Sequence, residues 1–493
     1  MRSAVLTDTS VQMPTRSPHP ADMVFTAELD WATNSVSSRL KILRAARHEI
    51  ANMSAAFAGA VSPELARTPA DTRVAEILPL LAACRFLERK AESILAPRRL
   101  GRRGLPFWLA GVQSEIHRVP LGRVLVIGPA NYPLFLPGVQ VLQALAAGNA
   151  VTWKPGRGGR PIADLFAQAM FKAGLAHDLL RITEESVDAG QKAMQQGADK
   201  VFFTGSALVG RVLMREMAET LTPCVMELSG CDAIVVLPSA DISRVVQALV
   251  FGMRLNGSAT CMAPRRILLV DATPARRDTF LADLLDALAI VNPVLIPENV
   301  LLQLRRLLDE AARGGAHVHG SAHAEAIRPI VVTNVQSTMN VAQADIFAPV
   351  LSVIDVDGDV GVLAAQEICP FALTAAIFGD EAEARRLSTK ITAGSIMIND
   401  IIVPTADPRV PFGGRRQSGF GVTRGTEGLL EMTAIKTIAV RRGRSTRHYE
   451  ATTAAHAEIF DGVIAATHAN GWTVRWRGFK QIAGAGRKLA RKG

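Results

Sequence analysis

Residues 123–156, RVLVIGPANYPLFLPGVQVLQALAAGNAVTWKPG, decide the fold. The apolar run RVLVI is followed by Gly-Pro, which predicts a β-strand that ends in a turn. The segment PGVQVLQALAAG has the pattern of a buried helix and ends at Gly148, and AVTWK, before Pro155, is a second strand. A strand, a helix and a second strand in this order are typical of a parallel sheet with helices on its faces. The stretch therefore predicts an α/β fold.

The same stretch carries no charged residue from Val124 to Trp153, a length sufficient to cross a bilayer. Its glycines, prolines and asparagines, however, divide it into a strand, a turn, a buried helix and another strand. We therefore interpret the run as the core of a folded domain and not as a membrane span.

The alternation of strands and helices continues on both sides. Residues 35–98 have helical spacing, and after residue 156 come a helix at 163–174, a strand at 180–183, a helix at 189–196 and the strand KVFFTG. A second block begins near Glu227 and contains the strands DAIVVLP, PRRILLV, PVLSVIDV and LTAAIFG, with helices over 278–288 and 301–314. The alternating strand TAIKTIAVRR ends the regular part. This order predicts two α/β domains.

The composition limits the class of protein. The 493 residues are enough for two or three domains. The five cysteines are scattered and none is part of a CxxC pair, so neither a disulfide framework nor a bound metal is expected. The N-terminal residues lack the uninterrupted apolar run that a signal peptide needs. These features favour a cytoplasmic protein.

Most of the positive charge lies at the C-terminus. The segment from Arg441 onward has eleven Lys and Arg against three Asp and Glu, and so contributes +8 of the formal net charge of +10. Its end interleaves Trp472, Trp476 and Phe479 with basic residues. We interpret it as an extension packed partly on the protein, with weak contact to an anionic membrane as the alternative. Nucleic-acid binding is not expected, because no nucleic-acid module is recognisable.

Eight segments, in order, resemble those of the aldehyde dehydrogenase superfamily. They are GPANYP at 128–133, AGNAVTWKPG at 147–156, FFTGS at 202–206, MELSG at 226–230, NGSATCMAPRR at 256–266, DIFAPVLSV at 345–353, LTAAIFG at 373–379 and PFGGRRQSGFG at 411–421. The resemblance extends from about residue 35 to about residue 442. One such motif is a weak signal, but eight in the family's order identify the chain as a member.

The resemblance implies an enzyme that oxidises an aldehyde to a carboxylic acid with NAD or NADP. Cys261 would attack the aldehyde carbonyl, because a thiolate is a strong nucleophile. The Asn131 side-chain amide and the Cys261 backbone N–H would hold the resulting oxyanion. After hydride transfer leaves a thioester on Cys261, Glu227 would act as the general base for the water that hydrolyses it.

Each of these residues also has a simpler interpretation. A buried cysteine is usually an inert small hydrophobic residue, and Cys224 and Cys231, which flank Glu227, are the rival nucleophiles. Asn131 could merely shape the turn before Pro133, and Glu227 could be a solvated or capping residue. Their positions within the motifs favour the catalytic roles.

The resemblance also implies a cofactor site. The strand KVFFT, followed by GSALVG at the start of a helix, presents backbone N–H groups to a phosphate, although it lacks the GxGxxG spacing. By the resemblance, this element faces the pyrophosphate, Lys154 contacts the adenosine ribose, and Asp345 and Phe347 contact the nicotinamide end. The implied cofactor-binding residues are Lys154, Arg157, Gly205, Ser206, Gly210, Asp345 and Phe347.

The chain departs from the family pattern at several positions. Gly156 and Arg157 stand where the family commonly has a residue followed by Glu, and an arginine there favours a 2′-phosphate, so NADP is an alternative to NAD. The other departures are Ser229 and Ala348 in place of glycines, Ala259 in place of a frequent Gln, and Asp345 in place of the usual Glu. They bear on cofactor preference and rate more than on reaction type.

The expected organisation is a Rossmann-like cofactor-binding domain, an α/β catalytic domain and a small β oligomerisation arm. The expected boundaries are a ragged N-terminal segment at 1–34, the cofactor-binding domain at 35–106 and 121–226, the arm at 107–120 and 433–442, the catalytic domain at 227–432 and a basic C-terminal extension at 443–493. By the resemblance, the arm implies a homodimer or a homotetramer.

Two other functions remain open at this point. A CoA-acylating or acyl-phosphate-forming relative would release an activated acyl product, but such relatives commonly lack the carboxylate that Glu227 supplies. A non-catalytic structural protein, or an adaptor that binds a membrane or nucleic acid through the basic tail, would not need Cys261. The presence of both residues favours the hydrolytic enzyme.

Overall fold

The computed structural model describes residues 24–65, 67–442, 447–449 and 451–490. The chain divides into two compact units, one of Met1–Arg98 and Ile116–Lys436 and the other of Arg99–Glu115 and Thr437–Gly493.

The α-helices are α1 Val24–Thr33, α2 Val36–Asn52, α3 Ser54–Gly59, α4 Pro69–Thr72, α5 Leu78–Leu95, α6 Phe135–Ala147, α7 Arg160–Lys172, α8 Val187–Gln195, α9 Ala207–Thr220, α10 Ile242–Arg254, α11 Pro274–Ala289, α12 Glu298–Arg313, α13 Gly358–Ile368, α14 Glu381–Ser388, α15 Gly425–Glu431, α16 Ala454–His468 and α17 Trp472–Ala490. Single 3₁₀ turns lie at Pro63–Leu65, Phe107–Leu109, His177–Leu179, Leu255–Ser258, Asn340–Ala342, Val403–Ala406 and Arg447–Tyr449, and a π-helical turn at Arg73–Ile77.

The strands are β1 Arg98–Leu100, β2 Val112–Pro120, β3 Arg123–Ile127, β4 Ala150–Lys154, β5 Leu180–Ile182, β6 Lys200–Gly205, β7 Cys224–Leu228, β8 Asp232–Val236, β9 Pro264–Val270, β10 Val294–Leu295, β11 His317–His319, β12 Ala326–Ile327, β13 Ile330–Thr333, β14 Val350–Val356, β15 Phe371–Ala372, β16 Thr374–Phe378, β17 Ser395–Ile398, β18 Arg415–Arg416, β19 Gly419–Phe420 and β20 Thr433–Arg441.

A six-stranded sheet in the larger unit has the order β19-β7-β6-β3-β4-β5. Strands β3 to β7 pair in parallel, and the short β19 is antiparallel to β7. The chain runs from the central β3 to β4 and β5 on one side, and then to β6 and β7 on the other. The carboxyl ends of β3 and β6 therefore form a topological switch point, where open α/β sheets bind their ligands. The predicted parallel sheet is confirmed.

The predicted helix between the first two of these strands is α6, which is buried along almost its whole length. It ends at Gly148, whose φ of 97° lies in the left-handed region that favours glycine. Together with β3 and β4, it accounts for the uncharged run of the sequence. Among the residues that the structure describes, no helix is long and apolar enough to cross a membrane.

A seven-stranded sheet in the same unit has the order β11-β13-β14-β9-β8-β16-β17. All neighbours pair in parallel except β11, which is antiparallel to β13. Every residue of β8, β9 and β16 is buried, because α10 and α11 cover one face of the sheet and α12, α13 and α14 cover the other. This sheet is the second predicted α/β block.

Two details differ from the predicted organisation. Residues 24–33 form a helix and not a ragged segment, because Trp31 is buried and its indole N–H donates to the Leu145 carbonyl at 3.1 Å. Residues 1–23 of that predicted segment lie outside the described residues.

The predicted boundary between residues 226 and 227 falls inside β7, which pairs with β6 as far as Leu228. Glu227 therefore belongs to the first sheet.

The strands predicted for the arm are present. β1, β2 and β20 form a three-stranded sheet with β2 in the centre. The smaller unit also contains α16 and α17, which pack against each other. A Cβ added at Gly478 would lie 2.6 Å from the Gly462 carbonyl oxygen, so glycine permits this close contact. The predicted basic extension is thus largely a helical hairpin, with residues 443–446, 450 and 491–493 outside the described residues.

Candidate active site

Cys261 lies in a loop between the turn Leu255–Ser258 and β9. The backbone before it is left-handed at three successive residues, with φ of 53° at Asn256, 56° at Gly257 and 64° at Ser258. Glycine adopts this conformation readily and asparagine tolerates it, but serine rarely does. Such a turn persists only where its surroundings hold it, and strained turns of this kind are concentrated at functional sites.

Arg265 holds this turn from within the protein. Its guanidinium is buried and donates to the Ser258 hydroxyl and the Ser258 carbonyl, each at 2.7 Å, and to the Ala348 carbonyl at 2.8 Å. Three charge-assisted hydrogen bonds satisfy a cation that burial would otherwise penalise. Arg265 therefore fixes the backbone at Ser258, three residues before Cys261, and so restricts the position of the cysteine.

Asn131 reaches the same loop from the carboxyl end of β3. Its side-chain Nδ2 donates to the Ala259 carbonyl at 2.9 Å, and Asn256 Nδ2 donates to the same carbonyl at 2.8 Å. The Asn131 side chain is 9% exposed. The structure thus brings the predicted oxyanion donor to the cysteine loop, two residues before the nucleophile in sequence.

A buried ion pair that the sequence analysis did not identify joins these two loops. Arg67 donates to Glu76 at 2.6 Å, to the Asn256 side-chain oxygen at 2.8 Å and to the Asn131 carbonyl at 2.6 Å. The second Glu76 oxygen accepts the backbone N–H groups of Leu134 and Phe135, at the start of α6. The pair therefore fixes the oxyanion loop, the cysteine loop and the start of α6 relative to one another.

Glu227 lies near the end of β7 and is 3% exposed. One carboxylate oxygen, Oε2, accepts a hydrogen bond from the Thr423 hydroxyl at 3.0 Å, and the other, Oε1, has no partner among the described residues. Burial raises the pKa of Glu227, whereas the charge of Arg424 and the Thr423 hydrogen bond lower it. Glu227 is therefore a buried carboxyl group with a raised pKa and with one acceptor oxygen, Oε1, that no described residue occupies.

The Cys261 thiol is partly buried and lies within the electrostatic influence of Glu227. Burial and then the charge of Glu227 raise its pKa, Asp232 and Asp345 act in the same direction, and Arg424 opposes them. A close approach confirms that the MELSG turn lies against the cysteine loop, since a Cβ at Gly230 would lie 3.2 Å from the Cys261 carbonyl oxygen. A thiol of this kind needs a nearby base before it can react as a thiolate.

The rival cysteines are less suited to catalysis. Cys231 is 1% exposed, and its thiol donates to the Ala342 carbonyl at 3.5 Å. Burial and the Cys369 thiol keep the pKa of Cys231 high. Cys224 lies at the start of β7, at the end of the strand opposite to Glu227.

Three of the residues predicted for the cofactor, Gly205, Ser206 and Gly210, lie at the switch point of the six-stranded sheet. Gly205 ends β6, and the Ser206 side chain caps α9 by accepting the Val209 N–H at 3.3 Å. A Cβ at Gly210 would lie 3.1 Å from Leu228, so this glycine allows α9 to pack closely on the sheet. The Ser229 N–H donates to the Gly205 carbonyl at 3.2 Å, which connects this turn to the segment that carries Glu227.

Lys154 ends β4 and Arg157 follows it, but the two side chains differ in environment. Lys154 is half-buried, and burial lowers its pKa while Glu185 opposes the change. The Arg157 side chain is 71% exposed and pairs with Glu64 at 3.2 Å. Such an exposed ion pair contributes little to stability. Gly156 between them is required, because its Cβ would lie 2.4 Å from the Pro129 carbonyl oxygen.

Asp345 and Phe347 lie in the loop before β14 and are both half-buried. Burial raises the pKa of Asp345, whereas a hydrogen bond from Ser229 and the charge of Arg265 lower it. Ser229 and Asp345, two departures from the family pattern, therefore contact each other. Asp345 also acts on the pKa of Cys261, so the two predicted sites are adjacent.

Comparison with known proteins agrees with this geometry. The sequence model described as the aldehyde dehydrogenase family matches residues 21–438. A protein of Pseudomonas aeruginosa described as a probable coniferyl aldehyde dehydrogenase is 31% identical over 424 residues, which cover 81% of this chain and 86% of that one. A vanillin dehydrogenase of Pseudomonas fluorescens is 31% identical over 365 residues, covering 70% and 74%.

The fold is also found among solved structures. An aldehyde dehydrogenase of Mycobacterium tuberculosis, crystallised with NAD⁺, is similar with a TM-score of 0.77 at 25% identity, covering 86% of this chain and 90% of that one. From the match to the family over most of its length, and from the convergence of the cysteine, asparagine and glutamate segments, we conclude that the chain belongs to the aldehyde dehydrogenase family.

Proposed function

We propose that the chain oxidises an aldehyde to a carboxylic acid with NAD or NADP, through a thioester on Cys261. The observation that carries the proposal is the convergence of three segments on one loop. Asn131 donates to the turn before Cys261, and the buried Glu227 carboxylate acts on the Cys261 thiol. A nucleophile, an oxyanion donor and a general base in one place are what thioester chemistry requires.

In the proposed reaction, the Cys261 thiolate bonds to the aldehyde carbon, and the carbonyl oxygen becomes an oxyanion. Asn131 Nδ2 directs one hydrogen to the Ala259 carbonyl, so its second hydrogen, with the Cys261 backbone N–H, serves the oxyanion. A bound NAD or NADP would supply the acceptor for the hydride that the tetrahedral carbon loses. The acyl group then stays on Cys261 until water attacks it, and the thiolate leaves as the carboxylic acid forms.

Glu227 is the proposed base for this water. Its Oε1 has no hydrogen-bond partner among the described residues, and so has a lone pair for the water proton. The Thr423 hydroxyl holds Oε2 and orients the carboxylate. Burial raises the pKa of Glu227, which makes the group a stronger base. This role also separates the proposal from the CoA-acylating and acyl-phosphate alternatives.

The residues at the switch point fit a dinucleotide. Gly205 and the amino end of α9 supply backbone N–H groups for a pyrophosphate. Lys154 adds a half-buried cation at the end of β4, which is separated from β6 by β3. Asp345 and Phe347 lie beside the cysteine loop, as the nicotinamide end requires. Arg157 is exposed, and would bind a 2′-phosphate of NADP by exchanging its partner Glu64 for the phosphate.

The substrate class that we propose is an aromatic aldehyde. Relatives that are 31% identical are a coniferyl aldehyde and a vanillin dehydrogenase by description. In this chain, aromatic side chains lie beside the catalytic residues, since the Tyr132 hydroxyl bonds Thr260 at 3.0 Å and Phe412 stacks on Arg424. Sites for aromatic ligands are lined mainly by hydrophobic and aromatic side chains, and these two rings are of that kind.

A panel assay tests this function. Reduction of NAD and NADP is measured with benzaldehyde, a hydroxylated benzaldehyde, hexanal and acetaldehyde, each with and without CoA or phosphate. We expect the aromatic aldehydes to have the highest kcat/KM, and the carboxylic acid to be the product whether or not CoA is present. An acyl-CoA or acyl-phosphate product, or no turnover of any aldehyde, would refute the proposal.

We further propose a homo-oligomer in the cytoplasm. β20 is an edge strand with Ile435, Ile438 and Val440 exposed at 64%, 41% and 50%, and such an edge pairs readily with another chain. The five cysteines are free thiols, which suits a reducing compartment. Light scattering after gel filtration should give the mass of a dimer or a tetramer. A monomer at micromolar concentration would refute the proposed homo-oligomer.

Peripheral membrane contact is a second proposal, for the hairpin of α16 and α17. Trp472, Trp476 and Phe479 form one stripe along α17 and are 77%, 54% and 54% exposed, and the helix carries basic residues without an acidic one. An anionic bilayer suits this combination. Sedimentation with vesicles containing phosphatidylserine, compared with neutral vesicles, tests it, and equal recovery with both would refute it.

A further inference from the structure

Arg424 is a buried cation beside the catalytic residues that the proposed reaction has not yet used. It is 4% exposed, and its guanidinium stacks against Phe412 at 4.3 Å and Phe135 at 5.5 Å from the ring centroids. It donates one hydrogen bond within the described part of the chain, to the Thr405 carbonyl at 2.6 Å, and its Nε has no partner there. A buried guanidinium that is satisfied so poorly is costly.

Two other arginines of the same protein show what a structural role looks like. Arg266 is 2% exposed and donates to the Cys231 carbonyl, the Ala365 carbonyl and the Gln366 side chain at 2.7–3.0 Å. Arg265 also makes three short bonds, as described above. Both are anchored at several points by neutral acceptors. Arg424 is not, so its burial needs another explanation.

The explanation lies in the negative charge around it. Thr423, the residue before Arg424, donates its hydroxyl to Glu227 Oε2 at 3.0 Å. This hydrogen bond places Glu227 next to the residue that adjoins Arg424 in the chain. Thr405, whose carbonyl accepts from Arg424, also contacts the next residue after Cys261. Its hydroxyl lies 3.7 Å from the sulfur of Met262. Glu227 Oε1 and Arg424 Nε have no hydrogen-bond partner among the described residues, and the charges of both residues act on the Cys261 thiol.

We propose that Arg424 is a positioning residue, the buried counter-ion that keeps Glu227 as a carboxylate and stabilises negative charge on Cys261 during the reaction. The inference rests on the proposed function and extends it to a residue that no motif assigned. The charged groups that face this pair are few. Glu227 is influenced by Arg424, and Cys261 by Glu227, Asp232, Asp345 and Arg424. Arg424 is the cation among them, and it lowers the pKa of both groups.

The direction of the effect follows from the charge. Removing the cation makes the Glu227 carboxylate less favourable, so its pKa rises and less of the base is present at a given pH. The acidic limb of the pH profile of kcat should therefore move to higher pH. For a buried charge a few ångströms away, we expect a displacement of about one pH unit, which is roughly tenfold in rate on that limb.

The test compares Arg424→Gln with Arg424→Lys. Glutamine keeps a donor for the Thr405 carbonyl and removes the charge, whereas lysine keeps the charge. We expect the acidic limb of Arg424→Gln to move upward and that of Arg424→Lys to stay within a few tenths of a pH unit of the wild type. A shared displacement, or none in either variant, would overturn the inference. Arg409→Gln, at an exposed pair with Asp407, is the matched control and should leave the limb unchanged.

A second measurement does not depend on turnover. The rate of alkylation of Cys261 by iodoacetamide, followed against pH by mass spectrometry, reports the thiolate directly. Arg424→Gln should need a pH about one unit higher for the same rate, and Arg424→Lys should not. An identical profile in both variants and the wild type would again overturn the inference. Failure of the proposed function itself has a different signature, because the wild type would then turn over no aldehyde in the panel assay, whereas the alkylation profiles would still report the effect of Arg424 on Cys261.

Discussion

The pair of Arg67 and Glu76 allows the sharpest test of how the site is built. The two side chains are 2% and 0% exposed and are joined at 2.6 Å. Replacing Arg67 with Met preserves much of the volume but leaves the Glu76 carboxylate buried without its cation. Breaking one partner of such a pair costs about 3–5 kcal/mol of the free energy of unfolding. We expect that loss in urea unfolding of Arg67→Met.

The same substitution should also affect catalysis. Arg67 donates to the Asn131 carbonyl at 2.6 Å and to the Asn256 side chain at 2.8 Å, so both catalytic loops lose an anchor. A displacement of about 1 Å costs up to roughly a hundredfold in rate, and we expect kcat to fall about ten- to a hundredfold with little change in cofactor affinity.

A double variant and a control complete the experiment. Adding Glu76→Gln removes the stranded charge and should restore at least about 1 kcal/mol, a coupling typical of contacting residues. The control is Arg47→Met, which breaks an ion pair with Glu88; the two side chains are 15% and 6% exposed, but Glu88 keeps Arg44 as a second cationic partner at 3.3 Å. Because Glu88 is not left without a cation, this change should lower the free energy of unfolding by only about 1 kcal/mol or less and leave kcat unchanged. If Arg67→Met behaves like Arg47→Met in both measurements, the pair does not organise the site.

Three further outcomes follow from individual residues. Cys261→Ala should abolish aldehyde oxidation and leave binding of the cofactor, measured by fluorescence titration, intact; retained turnover, with Cys231 as the alkylated residue, would contradict it. Asp232, whose pKa burial raises to about 7, holds a proton in the folded state that it loses on unfolding, so stability should fall by about 2 kcal/mol between about pH 5 and about pH 7. Asp232→Asn should remove this slope in urea unfolding at the two pH values, and an unchanged slope would show that another group is responsible. Arg157→Glu should shift the ratio of kcat/KM for NADP and NAD towards NAD by about tenfold, and an unchanged ratio would mean that the arginine stays with Glu64.

The parts of the fold that could be predicted from sequence are those that local pattern determines. The run from β3 through α6 to β4 is marked by apolar strands, a buried helix and a terminal glycine, and each signal acts over a few residues. The parallel pairing follows from the connection by a helix. By contrast, α1 has no capping signal, and burial of Trp31 against Leu145, more than a hundred residues away, maintains it.

The proposed catalytic residues lie in motifs, so the sequence suggests them, but the network that holds them could not be predicted. Arg67 lies in the loop before α4 and Glu76 in the turn Arg73–Ile77, both more than fifty residues before the nearest loop that they stabilise and without a distinctive sequence pattern. Their partners are partly backbone atoms, which leave no trace in the sequence. A buried ion pair of this kind is visible only after the chain has folded.

Thr423 and Arg424 are a different case. They follow PFGGRRQSGFG, the last recognised motif, after Val422, and extending the motif by three residues would have included both. The position of Arg424 directly before Gly425, close to a recognised motif, is a signal that could have been noticed. Its role depends on distances to Glu227 and Phe412, however, and these come only from the structure.

The most direct test of the central claim is detection of the thioester. Glu227→Gln should form it normally and hydrolyse it slowly, since the water then lacks its base. The variant is mixed with cofactor and benzaldehyde, quenched in acid within milliseconds to seconds, digested and analysed by mass spectrometry. We predict a burst of about one reduced cofactor per site and a benzoyl group on the peptide that contains Cys261. A steady rate without a burst, or an acyl group on Cys231 or on no cysteine, would contradict the account.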